Sequence, residues 1–192
     1  MINFGLPVYL ASKSPRRRKL LKQLNIDFKC LDFEFDESIP DGEHPVRTVK
    51  RLALEKLNFA KQKVSKGIII TADTIVVFNN RILGKPKDKK DANRMLRLLS
   101  DKTHIVYTGF AVFNSKTDKI KTGYEKTFVK FRKLNNKEIL DYISTGSPMD
   151  KAGAYGIQDD FGAVFVDKIT GCYYNVVGLP LTKLYKTLTE IA

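Results

Sequence analysis

The chain has 192 residues, and its 34 lysines and arginines exceed its 21 aspartates and glutamates, so the formal net charge is +13. Hydrophobic residues make up 43% and aromatic residues 10% of the chain, which excludes a fully disordered protein. The longest apolar runs are far shorter than the roughly 18 residues of a membrane-spanning helix, and the N-terminus lacks the basic segment of a signal peptide. The two cysteines, Cys30 and Cys172, lie far apart in the sequence and form no metal-type or redox-type pair, so we expect no Cys/His zinc site. We therefore expect one globular domain, residues 1–192, in a reducing cytoplasm.

Apolar residues alternate along the chain between the period of a strand and the period of a helix. In chain order the predicted elements are strand Val8–Ala11, helix Pro15–Leu24, strand Phe28–Phe33, helix Pro45–Val64, strands Ile68–Thr71 and Ile75–Phe78, helix Asp88–Leu99, strands Ile105–Phe113 and Thr122–Phe131, helix Asn136–Ser144, strand Gly162–Val166 and helix Leu181–Ile191. The segment Asn175–Leu181 is predicted as a structural loop that enters the last helix. Strands interleaved with helices indicate an α/β fold, and two predicted hairpins, near Ile75–Leu83 and Ile105–Phe131, indicate a mixed sheet.

The first unusual segment is Leu10–Leu21, LASKSPRRRKLL, where a short strand passes through a polar loop into an arginine-rich helix. The free N–H groups and the positive dipole end of a helix start attract anions, whereas consecutive basic side chains there oppose the dipole. This combination favours a phosphate site with the hydroxyls of Ser12 and Ser14, the latter as N-cap, and the guanidinium of Arg16 or Arg17. A solvated basic helix is the alternative.

A carboxylate interrupts the apolar run Ile68–Phe78, IIITADTIVVF. Such runs are typical of strands buried on both faces, where a charged side chain must be paired, bind a metal or lie at a strand end. Asp73 is therefore a candidate for binding a divalent cation or for accepting a proton from water. The alternative is a turn residue that caps a break in the strand.

Lys85 differs from the other lysines of its loop because it lies between Gly84 and Pro86. These two neighbours fix the local backbone and can direct one ammonium into a site. Without a ligand, the same segment is an ordinary solvated loop.

The segment Asp150–Gln158, DKAGAYGIQ, is dense in glycine. Its backbone can therefore lie close to a flat ligand, to which Tyr155 can offer a ring face or a hydroxyl. The amide of Gln158 supplies the paired donor and acceptor that reading a base edge requires. A tight turn without function is the alternative.

These segments, in this order, resemble the Maf family of nucleoside triphosphate pyrophosphatases. The resemblance covers Leu10–Leu181 and rests on LASKSPRRRKLL, Glu55-Lys56, ADTIVV, GKP at Gly84–Pro86, Thr108-Gly109, DKAGAYGIQ and NVVGLPL. It implies hydrolysis of a nucleoside triphosphate to the monophosphate and pyrophosphate with a divalent cation, Mg²⁺ or Mn²⁺. It also implies a homodimer and an elongated two-lobed α/β fold, with a central mixed sheet flanked by helices and the active site in a cleft between the lobes.

The resemblance also assigns roles to individual residues. Asp73 resembles the family's proton acceptor, and with Glu37 it forms the implied metal site. The implied polar phosphate and metal shell consists of Ser12, Arg17, Glu37, Lys56 and Lys85. Three positions that separate the branches of the family are similar to the branch acting on dTTP and UTP: Arg16, Thr74 and Gln158. The chain departs from the usual pattern at Leu57, Asp159 and Cys172.

The positive charge alone admits a nucleic-acid surface, an anionic membrane, a small polyanion or a solvated coat of lysines. Most aromatic residues lie inside apolar strand runs and are not interleaved with basic residues, so we expect neither a stable nucleic-acid complex nor membrane association. The alternatives that stay open are a nucleic-acid-binding module and an inosine-type triphosphate pyrophosphatase of related architecture.

Overall fold

The computed structural model describes residues 4–35, 38–40, 42–158 and 161–192, and this part of the chain forms a seven-stranded sheet with helices. The strands are β1 (Val8–Leu10), β2 (Phe28–Cys30), β3 (Ile68–Phe78), β4 (Arg81–Leu83), β5 (Thr103–Asn114), β6 (Lys119–Phe131) and β7 (Val166–Thr170). The α-helices are α1 (Pro15–Lys22), α2 (Pro45–Lys61), α3 (Lys89–Leu99), α4 (Asn136–Ser144), α5 (Tyr173–Val177) and α6 (Leu181–Ile191). Short 3₁₀ helices span Ser147–Asp150, Ala152–Ala154 and Phe161–Phe165.

The strand order is β2-β1-β3-β5-β6-β7, and β4 pairs with β3 outside this path. Strand β1 runs parallel to β2 and to β3, with Val8 opposite Phe28 on one side and Ile68 on the other. The β3–β4 and β6–β7 pairs are antiparallel. The predicted α/β fold with a mixed sheet is therefore confirmed.

The predicted strands Ile68–Thr71 and Ile75–Phe78 form one continuous strand, so the alternative that Asp73 caps a strand break is wrong. The predicted hairpin at its end is confirmed, with Phe78 opposite Arg81. Its turn residues, Asn79 and Asn80, have φ angles of 48° and 59°, a left-handed conformation that asparagine tolerates better than most residues.

Two predictions near the C-terminus are wrong. The predicted strand Gly162–Val166 is mostly a 3₁₀ helix, and β7 begins only at Val166. Gly162 and Phe165, the buried residues of this 3₁₀ helix, are three positions apart, which is its period. The predicted loop Asn175–Leu181 begins inside α5, a helix of five residues that is too short to show a hydrophobic period.

The chain divides into two compact units: the first is Met1–Asp73, Thr108–Glu125 and Gly178–Ala192, and the second is Thr74–Tyr107 and Lys126–Val177. In the first unit, α2 lies close to β5, because a Cβ added at Gly109 would be 2.3 Å from the carbonyl oxygen of Val49. The close approach explains why glycine occupies this strand position. The α2 face that this unit buries completely consists of Val49, Leu52, Ala53, Leu57 and Ala60.

The core of the second unit is rich in aromatic residues. Phe131 and Phe165 pack with Tyr142 of α4 and with Tyr155. Aliphatic residues of α3 complete this core: Ala92, Met95, Leu96 and Leu99. Within the described ranges of both units, no helix has the length and apolar character needed to cross a membrane.

Candidate active site

The start of α1 has the cap that its sequence predicts. Ser14 is the N-cap, and its hydroxyl accepts a hydrogen bond from the backbone N–H of Arg17 at 3.4 Å. The hydroxyl of Ser12 accepts a second bond, from the N–H of Ser14 at 3.2 Å. Both predicted hydroxyls therefore lie at the positive end of α1, where an anion is stabilised.

Arg17 lies beside Ser12 in the first unit. Its Nη1 is 3.4 Å from the Ser12 hydroxyl, and its Nε donates to the carbonyl oxygen of Gly178 at 2.8 Å. The second contact fixes the plane of the guanidinium against the segment that precedes α6, to which Gly178 belongs. Arg16 precedes Arg17 in the same turn and is half-buried. The structure thus brings two of the predicted phosphate ligands together, and Gly178 is a supporting residue that the sequence did not identify.

Arg18 makes different contacts from Arg17. Its Nη2 is 2.6 Å from a carboxylate oxygen of Asp32, in an ion pair at the surface. The same nitrogen also donates to the carbonyl oxygen of Ser12 at 3.3 Å. Arg18 is therefore used to hold the loop before α1, which separates it from the arginines predicted to bind phosphate.

Lys56 and Asp73 form an ion pair inside the first unit. Lys56 lies on helix α2 and Asp73 on strand β3, and both are buried, with exposed fractions of only 8% and 4%. The ammonium of Lys56 donates a hydrogen bond to Oδ1 of Asp73. Because an unpaired charge is very costly in a protein interior, each group makes the burial of the other possible.

A buried threonine connects the two elements that carry this pair. The hydroxyl of Thr71, two residues before Asp73 on β3, donates to the carbonyl oxygen of Ala53 on α2 at 2.7 Å. Ala53 lies about one helical turn before Lys56. The hydrogen bond therefore fixes the register between helix and strand at the position of the ion pair.

Glu55, which precedes Lys56 in the sequence, belongs to a separate cluster around Arg51. Arg51 contacts both carboxylate oxygens of Glu55, at 3.0 and 3.1 Å, and both of Glu43, at 3.0 and 2.7 Å. Its Nη2 also donates to the carbonyl oxygen of Ser38 at 3.1 Å. The hydrogen bonds from Arg51 lower the pKa of Glu43 below its ordinary value. Glu55 thus helps to fasten the segment before α2, a role that sequence reasoning missed.

The remaining predicted residues, Thr74, Lys85 and Gln158, belong to the second unit. Thr74 directly follows Asp73 on β3 and is half-buried, as is Gln158, whereas Lys85 is exposed. The backbone N–H of Gly153 donates to the carbonyl oxygen of Gly84 at 3.0 Å. This bond joins the loop of Lys85 to the glycine-rich segment that contains Gln158.

The glycine-rich segment contains the 3₁₀ helix Ala152–Ala154. Gly153 has a φ angle of 69°, and a Cβ there would lie 2.9 Å from Cγ2 of Val76. The ring of Tyr155 is only 5% exposed, and its hydroxyl lies 2.8 Å from Nε2 of His104. The prediction that Tyr155 offers its ring face or its hydroxyl to a ligand is therefore wrong: the tyrosine anchors the segment in the core.

Glu37, the second predicted metal ligand, lies outside the described residues. Within residues 4–35, 38–40, 42–158 and 161–192, no group of three or more His, Cys, Asp and Glu side chains is arranged to hold a metal ion. Asp73 nevertheless supplies the right type of donor, because Mg²⁺ is commonly bound by one or two carboxylates together with substrate phosphates. The chemistry of this donor fits a divalent cation.

Comparison with known proteins identifies the family. The family described as "Maf-like protein" matches residues 7–191 of the chain. The chain is 50% identical over 188 residues to the dTTP/UTP pyrophosphatase of Clostridium botulinum (strain Kyoto / Type A2), covering 96% of both chains. It is 50% identical to the dTTP/UTP pyrophosphatase of Thermosipho melanesiensis, covering 96% of this chain and 98% of the relative. It is 46% identical to that of Clostridium perfringens (strain SM101 / Type A), over 95% and 96% of the two chains. The chain therefore belongs to the Maf family.

Proposed function

We propose that this chain hydrolyses nucleoside triphosphates to the nucleoside monophosphate and pyrophosphate, with dTTP and UTP as its preferred substrates. The observation that carries the proposal is the buried ion pair of Lys56 and Asp73, which supplies a fixed ammonium and a fixed carboxylate. Relatives about 50% identical over 96% of this chain, which are named dTTP/UTP pyrophosphatases, support the choice of reaction and of substrate.

The reaction requires water to attack the α-phosphorus. A new bond forms between the water oxygen and the α-phosphorus, the bond from that phosphorus to the oxygen bridging to the β-phosphorus breaks, and pyrophosphate leaves. Because the triphosphate repels an attacking hydroxide, neutralising its charge is the largest catalytic contribution we assign. In this proposal Arg17, Lys56 and Lys85 neutralise the β and γ oxygens, and the Ser12 hydroxyl donates to a phosphate oxygen.

Asp73 is the proposed proton acceptor. Its carboxylate is held by Lys56 and by the α2–β3 register that Thr71 fixes, so its direction is set before substrate binds. A positioned carboxylate can orient the attacking water and take the proton that water loses as the new bond forms. The same carboxylate, with Glu37, would hold Mg²⁺ or Mn²⁺, which supplies Lewis-acid neutralisation of phosphate oxygens when bound.

Arg16, Thr74 and Gln158 are the proposed residues of base selection. The amide of Gln158 offers a donor and an acceptor to the O2, N3–H and O4 edge of a pyrimidine. A site built around such hydrogen bonds rejects a purine partly because the polar groups of the site are then left unpaired. The attachment of the Gly153 backbone to Gly84 supports this assignment, because it fixes the segment from which Gln158 extends.

We further propose that residues 1–192 act as one functional domain, that the protein forms a homodimer and that it acts in the cytoplasm. The homodimer follows from the family resemblance, and light scattering on the purified protein tests it. The absence of a disulfide at the free thiols of Cys30 and Cys172 is compatible with a reducing compartment.

The decisive experiment is a panel of common nucleoside triphosphates and ITP, assayed for pyrophosphate release with Mg²⁺ or Mn²⁺. We expect dTTP and UTP to give the highest kcat/KM. Faster turnover of purine triphosphates would overturn the pyrimidine preference, and a marked preference for ITP would favour the inosine-type alternative. Failure to hydrolyse any nucleotide, together with tight binding of single-stranded or duplex nucleic acid, would favour the nucleic-acid-binding alternative.

A further inference from the structure

A buried imidazole contacts a buried phenol in the second unit, and neither group takes part in the chemistry proposed above. His104 on β5 is only 1% exposed, and its Nε2 lies 2.8 Å from the hydroxyl oxygen of Tyr155. Tyr155 belongs to the glycine-rich segment, three residues before Gln158. The contact therefore connects a sheet strand to the segment that carries a residue of base selection.

Aromatic packing holds the two rings in a fixed arrangement. The rings of His104 and Tyr155 meet edge to face with their centroids 5.3 Å apart. Phe131 packs edge to face against both, at 4.9 Å from the imidazole and 4.7 Å from the phenol. Because aromatic rings prefer this geometry at these distances, the three side chains form a rigid support.

Both groups are neutral at physiological pH. Burial lowers the pKa of His104 to about 4, and it raises the pKa of Tyr155 well above its usual range. The contact is therefore a hydrogen bond between neutral groups, and its effect is to fix geometry.

Two backbone hydrogen bonds hold the same segment on either side of Tyr155. The N–H of Gly156 donates to the hydroxyl of Tyr142 on α4 at 3.2 Å. The N–H of Gly153 donates to the carbonyl oxygen of Gly84 at 3.0 Å. Residues 153, 155 and 156 are thus attached to three different parts of the unit, although glycine would otherwise leave this backbone flexible.

We propose that His104 and Tyr142 are positioning residues for base selection, which hold Tyr155 and Gly156 so that Gln158 presents its amide in one orientation. This inference rests on the proposed function. Hydrogen bonds to a base edge depend steeply on distance and angle, so a small displacement of Gln158 weakens them. Contacts to the phosphates tolerate such a displacement better, because a charge attracts over a longer range.

Three conservative variants test the proposal. Tyr155→Phe and His104→Phe each remove one partner of the imidazole–phenol contact and keep an aromatic ring, and Tyr142→Phe removes the acceptor of the Gly156 N–H. The matched control is Ile139→Val on α4, which loosens the same buried core without removing a hydrogen bond. For each protein, kcat and KM are measured with dTTP and dGTP, and the melting temperature is recorded.

We expect each of the three variants to raise the KM for dTTP about 10-fold and to leave kcat within about 2-fold, the scale of a small misplacement of a binding group. The kcat/KM ratio of dTTP over dGTP should fall about 10-fold. The double variant His104→Phe/Tyr155→Phe should resemble either single variant, because both remove the same contact. Ile139→Val should lower the melting temperature and leave the ratio unchanged.

A purely structural role gives a different result. If the three variants change the dTTP over dGTP ratio no more than Ile139→Val does, the positioning role is overturned, whether or not their melting temperatures fall. The unmodified protein is assayed beside the variants. If it hydrolyses none of the nucleotides, the proposed function itself fails, and the positioning role fails with it.

Discussion

The ammonium of Lys56 on α2 and the carboxylate of Asp73 on β3 form a buried ion pair between residues that lie 17 positions apart in the sequence. Helix α2 is fixed against the sheet at this level by the hydrogen bond from Thr71 to the backbone of Ala53. The pair allows a carboxylate to remain inside an apolar strand. It is also the centre of the proposed chemistry.

Asp73→Asn keeps the size of the side chain and removes its ability to accept a proton. We expect kcat with dTTP to fall about 10²-fold or more, the usual scale for a positioned base. Pyrophosphate release under saturating dTTP measures the effect. Near wild-type turnover on every nucleotide would contradict the assignment of Asp73.

The same variant leaves the Lys56 ammonium buried beside a neutral amide. Removing one partner of a buried ion pair typically costs about 3–5 kcal/mol of unfolding free energy. Urea unfolding, followed by circular dichroism, must therefore accompany the assay, which is run where the variant is fully folded. A loss of activity in a folded variant is then due to the missing proton acceptor and not to unfolding.

Arg17→Lys should weaken substrate binding although the charge is retained. A lysine ammonium cannot reproduce the guanidinium that contacts both Gly178 and Ser12. Loss of one charge-assisted hydrogen bond, worth about 1.5–3 kcal/mol, corresponds to a rise in KM of about 10-fold or more.

The matched control for this prediction is Arg18→Lys, in the same helical turn. Its pairing with Asp32 lies at the surface, where an ion pair contributes about 0–1 kcal/mol, so we expect KM to stay within about 2-fold. Equal effects of the two substitutions would show that Arg17 has no special role in substrate binding.

Gly109→Ala should destabilise the first unit. The added methyl group would lie 2.3 Å from the carbonyl oxygen of Val49, so α2 and β5 would have to separate. Overpacking of this kind costs about 1–3 kcal/mol or more of unfolding free energy. Urea unfolding compares this variant with Gly84→Ala, whose methyl group would meet nothing within 4 Å. Equal stability of the two variants would refute the close approach of α2 and β5.

Acid should weaken the cluster around Arg51. The pKa of Glu43 is lowered from 4.5 in the folded protein, mainly by its hydrogen bonds to Arg51, so the unfolded chain takes up a proton at a higher pH than the folded one. The stabilisation is therefore complete above pH 4.5 and is lost as pH falls through the lower folded pKa. Glu43→Gln lacks this contribution, so its urea midpoint should decline less than that of the wild type below pH 4.5. Parallel declines would contradict the prediction.

His104 should act in a different pH window. Its pKa is about 4 in the folded protein because of burial, against 6.5 for an ordinary histidine, so the unfolded chain binds the proton first as pH falls. Stability should therefore decline between pH 6.5 and about pH 4, by roughly 3 kcal/mol in total from this group. His104→Phe removes this titration. Its urea midpoint should vary less than that of the wild type over this range, and an unchanged pH dependence would show that His104 titrates normally.

Local sequence signals determined the elements most accurately where a cap or a clear period was present. Helix α4 has the predicted bounds, Asn136–Ser144, and its Asn135–Glu138 capping box defines where the helix begins. Ser14 is identifiable as the N-cap of α1 because a serine directly before a proline at the first helical position is a helix-start signal. The segment Gly162–Val166 predicts a strand but is mostly part of the 3₁₀ helix Phe161–Phe165, because a run of five residues cannot distinguish the two periods.

The sequence by itself determined the α/β fold class and the order of the motifs, because both depend on hydrophobic periods and on residue types along the chain. Only the tertiary structure decided which polar groups meet. In the folded chain Lys56 pairs with Asp73, and Tyr155 is buried against His104. Arg18 contacts Asp32, whereas Arg17 contacts Gly178. Partners of this kind are chosen by the packing of helices and strands that lie far apart in sequence. A buried charge or hydroxyl must find its partner wherever the fold brings one within hydrogen-bond distance.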